Sequence, residues 1–257
     1  MLTLAMDDAQ SQPSVPALPI EDAHDLMCKA LVRAGGVLCE EMLKPVDGVK
    51  IADVAFLNDQ LVIEVKTLAS DRNKLESVRK KARSILDKWA ASGHIPHMPG
   101  EVSVNLGDLP AEVAEDLLRN VGNRIATELT NANRQIKQTM ERLGYSHPVG
   151  LVIIITPWHF ASHVGVIGAI AGRNLKGTNR RGINGVLAIE IISDGDNVPD
   201  RGLAMVNFTR TEMVPANPVV VGQIVESWRS TVSEHLGVPF PREDRPEGEF
   251  ERMYLAN

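Results

Sequence analysis

The segment KIADVAFLNDQLVIEVKTL, residues 50–68, sets Asp53, Glu64 and Lys66 inside two short apolar runs. Charge buried in a strand is costly unless something compensates it, so these three residues constrain both the fold and its purpose. Asn58-Asp59 between the runs suits a tight two-residue hairpin turn. With that turn, paired positions add up to 117, which sets Ala55 against Val62, Asp53 against Glu64 and Ile51 against Lys66. Alternation then places the three charges on one face, and Ala52, Val54, Phe56, Leu61, Ile63 and Val65 on the other. Two carboxylates directly opposite, their Cβ atoms about 5 Å apart, repel each other. Lys66 offsets part of that repulsion. A divalent ion would offset the rest, and a hard one such as Mg²⁺, with Mn²⁺ as a substitute, accepts a couple of carboxylates together with water and phosphate oxygens. A hairpin lying on the surface would instead leave the same charges in water.

The remainder of the chain reads as α/β with a mixed central sheet flanked by helices. A helix is expected over 21–43, strained by Gly35 and Gly36 and stopped near Pro45. Helical stretches follow the hairpin at 70–91 and 110–143, on either side of a loop rich in turn residues. GLVIIIT, residues 150–156, is a continuous apolar run suited to a central strand buried on both faces. Beyond it lie a helix at 160–173, strands at 185–192 and 202–208, and a last helix at 219–236. Residues 1–20 read as a flexible lead-in, 21–240 as one domain and 241–257 as an acidic tail.

The net charge of −6 speaks against a polyanionic partner until its distribution is considered. Residues 1–26 hold five acids and no base, and residues 223–257 hold seven acids and four bases, so the middle of the chain keeps 23 bases and 21 acids. Within it, DRNKLESVRKKARSILDKW (71–89) has seven bases to three acids, and AGRNLKGTNRRG (171–182) has four bases and no acid. Such clusters can hold phosphates, although a solvated helix face has the same composition.

IADVAFLNDQLVIEVK, an Asp followed on the next strand by E-x-K, resembles the PD-(D/E)XK nuclease superfamily. That resemblance implies a restriction-endonuclease-like α-β-β-β-α-β core, covering roughly residues 22–156, with a helical insertion at about 70–123. It implies a Mg²⁺-dependent nuclease in which Asp53 and Glu64, helped by the carbonyl of Val65, hold the ion and Lys66 orients the attacking water. The superfamily often takes a further acid from the helix before the hairpin, a place that Glu40 or Glu41 could fill. NANRQIKQTMERLG resembles the helix that follows E-x-K, with Gln135 and Gln138 facing the scissile region. The partner would be nucleic acid, DNA favoured over RNA, held by Arg72, Lys74, Lys80, Lys81, Lys137, Arg180 and Arg181. A homodimer would suit a double-strand cutter, which needs two sites. The first motif departs from the superfamily's usual form in having Ala52 before the Asp where proline is common. The rival expectation is the same fold without catalysis, serving as a binding or assembly module.

His159 and His163 in PWHFASH have the four-residue spacing at which two imidazoles on a helix share a zinc, but lack the Glu of H-E-x-x-H. Trp158 beside them could stack on a base. Cys28 and Cys39, read as one helix, would be roughly 16 Å apart along its axis and so could not form a disulfide. No apolar stretch reaches the roughly 20 residues needed to span a bilayer, and a signal-peptide pattern is missing from MLTLAMDDAQ, which points to the cytoplasm.

Overall fold

A computed structural model describes residues 18–68, 72–99, 108–157, 164–176, 180–191, 205–209 and 216–237. Their elements run α1 (Ile20–Arg33), β1 (Val37–Leu38), α2 (Cys39–Met42), β2 (Val54–Phe56), β3 (Leu61–Thr67), α3 (Arg72–Ala91), α4 (Ala111–Val121) and α5 (Asn123–Leu143). After these come β4 (Val149–Pro157), α6 (Val164–Leu175), β5 (Gly185–Ile191), β6 (Met205–Thr209) and α7 (Pro218–Leu236).

One mixed sheet carries the six strands in chain order, β1 to β6. The β1-β2, β2-β3 and β5-β6 pairs are antiparallel, whereas β3-β4 and β4-β5 are parallel. Parallel neighbours need crossovers, supplied here by helices, and a helix on each face leaves the central strands dry. From Leu151 to Ile155 each residue of β4 is at most 1% exposed, which is why GLVIIIT shows no alternation. Val54, Phe56, Ile63, Ile153 and Leu187 pack with α1 and α7, around Trp228. Val62, Val152, Ile154, Val186 and Ala188 pack on the other side with α5 and α6. A smaller cluster of Ile85, Ile95, Val113 and Leu117 joins α3 to α4, so the segment between β3 and α5 is a helical hairpin with its own apolar centre.

The helix expected over 21–43 ends at Arg33. Gly35 takes φ +101°, a left-handed conformation that ends the helix, and a Cβ on Gly36 would lie 2.5 Å from Val54 Cγ1. The chain therefore turns back into β1, and Cys39 stands on a different element from Cys28. The single helix expected over 110–143 is divided at Gly122, where a Cβ would meet Leu118 O at 2.6 Å and Ile170 Cδ1 at 2.7 Å.

Gly150 stands at the tightest backbone approach. A Cβ there would fall 1.8 Å from Gly182 O, while Gly150 N–H donates to Asn184 Oδ1 at 2.9 Å. Gly182 N–H in turn donates to the buried Asn133 Oδ1 at 2.9 Å. Since neither backbone can retreat without breaking these bonds, Gly150→Ala should destabilise the fold by about 3 kcal/mol or more, measurable as a lowered urea midpoint.

Candidate functional site

The hairpin has the expected register, Val54 pairing with Ile63, Ala55 with Val62 and Phe56 with Leu61, but its connection is the four residues 57–60, with positive φ (49°) at Gln60, rather than a tight two-residue turn at Asn58-Asp59. Antiparallel pairing, however, ends at Val54. One further backbone bond, Asp53 N–H to Ile63 O at 3.2 Å, closes the ladder, and the chain then bends away from β3. The Asp53 carboxylate takes over where the strand stops, its Oδ2 accepting from Val65 N–H at 2.7 Å. Asp53 and Glu64 are thereby brought together beside the backbone of Val65.

The bend overturns one expectation. Ala52 does not share a face with Val54 and Phe56 but turns to the α5 side, among Val62 and Ile136. The cause is Thr139, whose Oγ1 accepts from Ala52 N–H at 2.7 Å and donates to Gln135 O at 2.9 Å. Helix α5 thus holds the approach to Asp53 from one side. One turn earlier, Gln135 Nε2 donates to Ile51 O at 3.2 Å and its Oε1 accepts from Lys66 Nζ at 3.1 Å.

Glu64 is 1% exposed, which excludes the surface-hairpin reading. Its Oε1 accepts from Lys66 Nζ at 2.5 Å, whereas its Oε2 is buried with no hydrogen-bond partner among the described residues. Burial, then the charge of Asp53, push its carboxyl up to about 8, against the opposing pull of Lys66 and His24. A buried carboxylate oxygen without a partner calls for an explanation, and an ion that completes the site is one.

Helix α1 brings a residue that motif reading passed over. His24 Nε2 lies 3.5 Å from Asp53 Oδ1, and its Nδ1 lies 4.0 Å from Cys28 Sγ one turn on. Hydrogen bonding to Asp53 and to Cys28, in that order, raises the imidazole to about 11, against the opposing effect of burial. Cys39 is buried, and desolvation first, then Asp53 and Glu64, lift its thiol to about 12. The i, i+4 spacing of His24 and Cys28 was a visible signal, since it sets both on one helix face. Their meeting with Asp53 depends on how α1 crosses the sheet.

Glu40 and Glu41 are exposed on α2, and no hydrogen bond or ion pair among the described residues joins either to the site; the α2 residue that turns inward is Cys39. With α1 stopped at Arg33, the two acids stand on the short α2 rather than on the helix from which the resemblance takes a further acid. Gln138 has a buried Oε1 with no hydrogen-bond partner among the described residues. Arg180 is taken up internally: its guanidinium donates to Thr130 Oγ1 at 2.8 Å, Asn174 O at 2.8 Å and Ala126 O at 3.2 Å, tying α5 to α6. Lys80, Lys81, Lys137 and Arg181 are exposed. The side chains of Arg72 and Lys74 lie outside the described residues, as do Trp158, His159 and His163.

No helix among the described residues is long and apolar enough to cross a membrane. Comparison of the chain with protein-family models, with curated proteins and with solved structures gives no match. What the site can do therefore follows from its geometry: two carboxylates, one of them dry and short of a partner, beside an ammonium fixed by a glutamine.

Proposed function

We propose that the protein is a metal-dependent nuclease of the PD-(D/E)XK kind, hydrolysing phosphodiester bonds in nucleic acid, with DNA favoured over RNA. One observation carries the reading: Glu64, 1% exposed and with Oε2 unpartnered among the described residues, lies beside Asp53 and Lys66. The order α1-β1-β2-β3-α5-β4, with α3 and α4 inserted, supports it, because a restriction-endonuclease-like core needs that order.

The donor set is all oxygen, from Asp53, Glu64 and the Val65 carbonyl, which fits Mg²⁺ or Mn²⁺. Such an ion, when bound, polarises a phosphate oxygen and lowers the pKa of water. The protein's own residues do the remainder. Asp53, tethered by Val65 N–H, and Glu64, held by β3, keep their carboxylates in place without reorganisation. The Lys66 ammonium, steadied by Glu64 and Gln135, can orient the attacking water and offset negative charge developing on the phosphoryl oxygens. Helix α3 begins five residues beyond β3, so the exposed Lys80 and Lys81 belong to an element that leaves from the site's own strand. With Lys137 and Arg181 they would supply sequence-independent phosphate contacts.

The test is direct. Plasmid, single-stranded DNA and RNA are each incubated with the protein in Mg²⁺, in Mn²⁺ or in chelator. Cleavage that needs the ion is expected. No cleavage of any form, together with nucleic-acid binding indifferent to metal and to Glu64→Gln, would replace this reading by a non-catalytic binding module.

A further inference from the structure

We infer that His24, Cys28 and Asp53 form a second cation site, which takes a borderline-soft divalent ion of the zinc class rather than the hard ion expected at Asp53 and Glu64. One donor atom from each of the three lies within 4.8 Å of the others. Tetrahedral zinc, with bonds of about 2.0–2.3 Å to nitrogen, oxygen and sulfur, separates its ligand atoms by roughly 3.3–3.8 Å. The imidazole presents Nε2 to Asp53 and Nδ1 to Cys28 and Asp25, so its ring must turn for one nitrogen to share an ion with the other two ligands. Two of the ligands are fixed one turn apart on a fourteen-residue helix, and the third is fixed by its bond to Val65 N–H.

The two oxygens of Asp53 divide the work. Oδ2 is held by Val65 N–H and Oδ1 faces the imidazole, so the soft site uses the oxygen that the Val65 bond leaves to α1. A thiolate, an imidazole and a carboxylate together disfavour Mg²⁺ and suit Zn²⁺ or Co²⁺. All three residues are partly exposed, which leaves room for water in the fourth position of a zinc-type site. The site stands on these three side chains alone and does not depend on phosphodiester chemistry.

Co²⁺ is a suitable probe, because thiolate ligation gives it a near-ultraviolet charge-transfer band. The chain has two cysteines, so the band can be assigned. Titrating Co²⁺ into the full-length protein without oxygen should give the band at about one equivalent, displaced by Zn²⁺ and retained in excess Mg²⁺. Cys28→Ser should abolish it and Cys39→Ser should keep it. Partners of metal ligands are worth roughly 10–100-fold in affinity, so removing a ligand by His24→Ala should weaken binding by about 100-fold. Glu64→Gln should retain the band, which separates this site from the hard one. In the unmodified protein Zn²⁺ should protect Cys28 from iodoacetamide, a readout that needs no variant. No band, a band that follows Cys39, displacement by Mg²⁺, or no protection of Cys28 would overturn the assignment, whether or not the protein cuts nucleic acid.

Discussion

Lys66→Ala should lower single-turnover cleavage at saturating Mg²⁺ by roughly 10²–10⁴-fold while leaving the far-ultraviolet circular dichroism unchanged. The ammonium lies 2.5 Å from Glu64 Oε1 and 3.1 Å from Gln135 Oε1, and no other cationic side chain among the described residues shares those contacts. On the proposed mechanism, its removal would leave the attacking water and the scissile phosphate without their cation. The fold should survive, because the Lys66 side chain belongs to none of the apolar clusters that join the sheet to its helices. Arginine should rescue poorly, since a planar guanidinium cannot take the place of a compact ammonium. A variant that cleaves within tenfold of the parent would remove Lys66 from the mechanism.

Glu64→Gln should do something less usual for a site residue and stabilise the ion-free protein. The Glu64 carboxyl stands at about 8 in the folded chain against an ordinary value of 4.5, with burial the main cause and Asp53 the next. A group raised in this way favours folding fully below pH 4.5, and that contribution is lost as pH rises through about 8. His24, raised to about 11, adds a slope of the same sign above 6.5. At pH 8 the glutamine variant, which has no charge to desolvate, should exceed the parent by on the order of 1–3 kcal/mol in urea unfolding. The gap should close as pH falls toward 4.5. Millimolar Mg²⁺ should raise the Tm of the parent at pH 8 and leave that of the variant in place, because the ion restores a partner to the carboxylate only where there is one. A variant less stable than the parent at both pH values would mean that Glu64 is held by contacts other than those described.

How much of this could be read beforehand depends on the range of the interaction involved. The hairpin register was legible because Asn58-Asp59 and the alternating residues act over a few positions, and the sum of 117 is kept at all three observed pairs. The dryness of β4 was legible because a run buried on both faces has no polar member. Ala52 was not, because its direction is set by Thr139, 87 residues away. Glu40 and Glu41 stand on the short α2 and not on the long helix expected to carry them, for a local reason that composition only hinted at: Gly35 adopts a left-handed conformation. His24 and Cys28 announced a shared face by their spacing, but not the carboxylate they would meet.

The polar lattice around Asp53, Glu64 and Lys66 joins segments of very different separation along the chain. Asp53 reaches Val65 across twelve residues, whereas Lys66 reaches Gln135 across 69 and Ala52 reaches Thr139 across 87. The parallel ladder of β3 with β4 likewise begins by joining Leu61 to Val149, with the whole α3-α4 hairpin in between. Closing loops of that length is slow compared with forming a hairpin. During refolding the two carboxylates should therefore meet early, as an open, wet half-site. Their ammonium should gain its glutamine, and Glu64 lose its water, only when α5 docks, so this cluster should mature in the last and slowest phase.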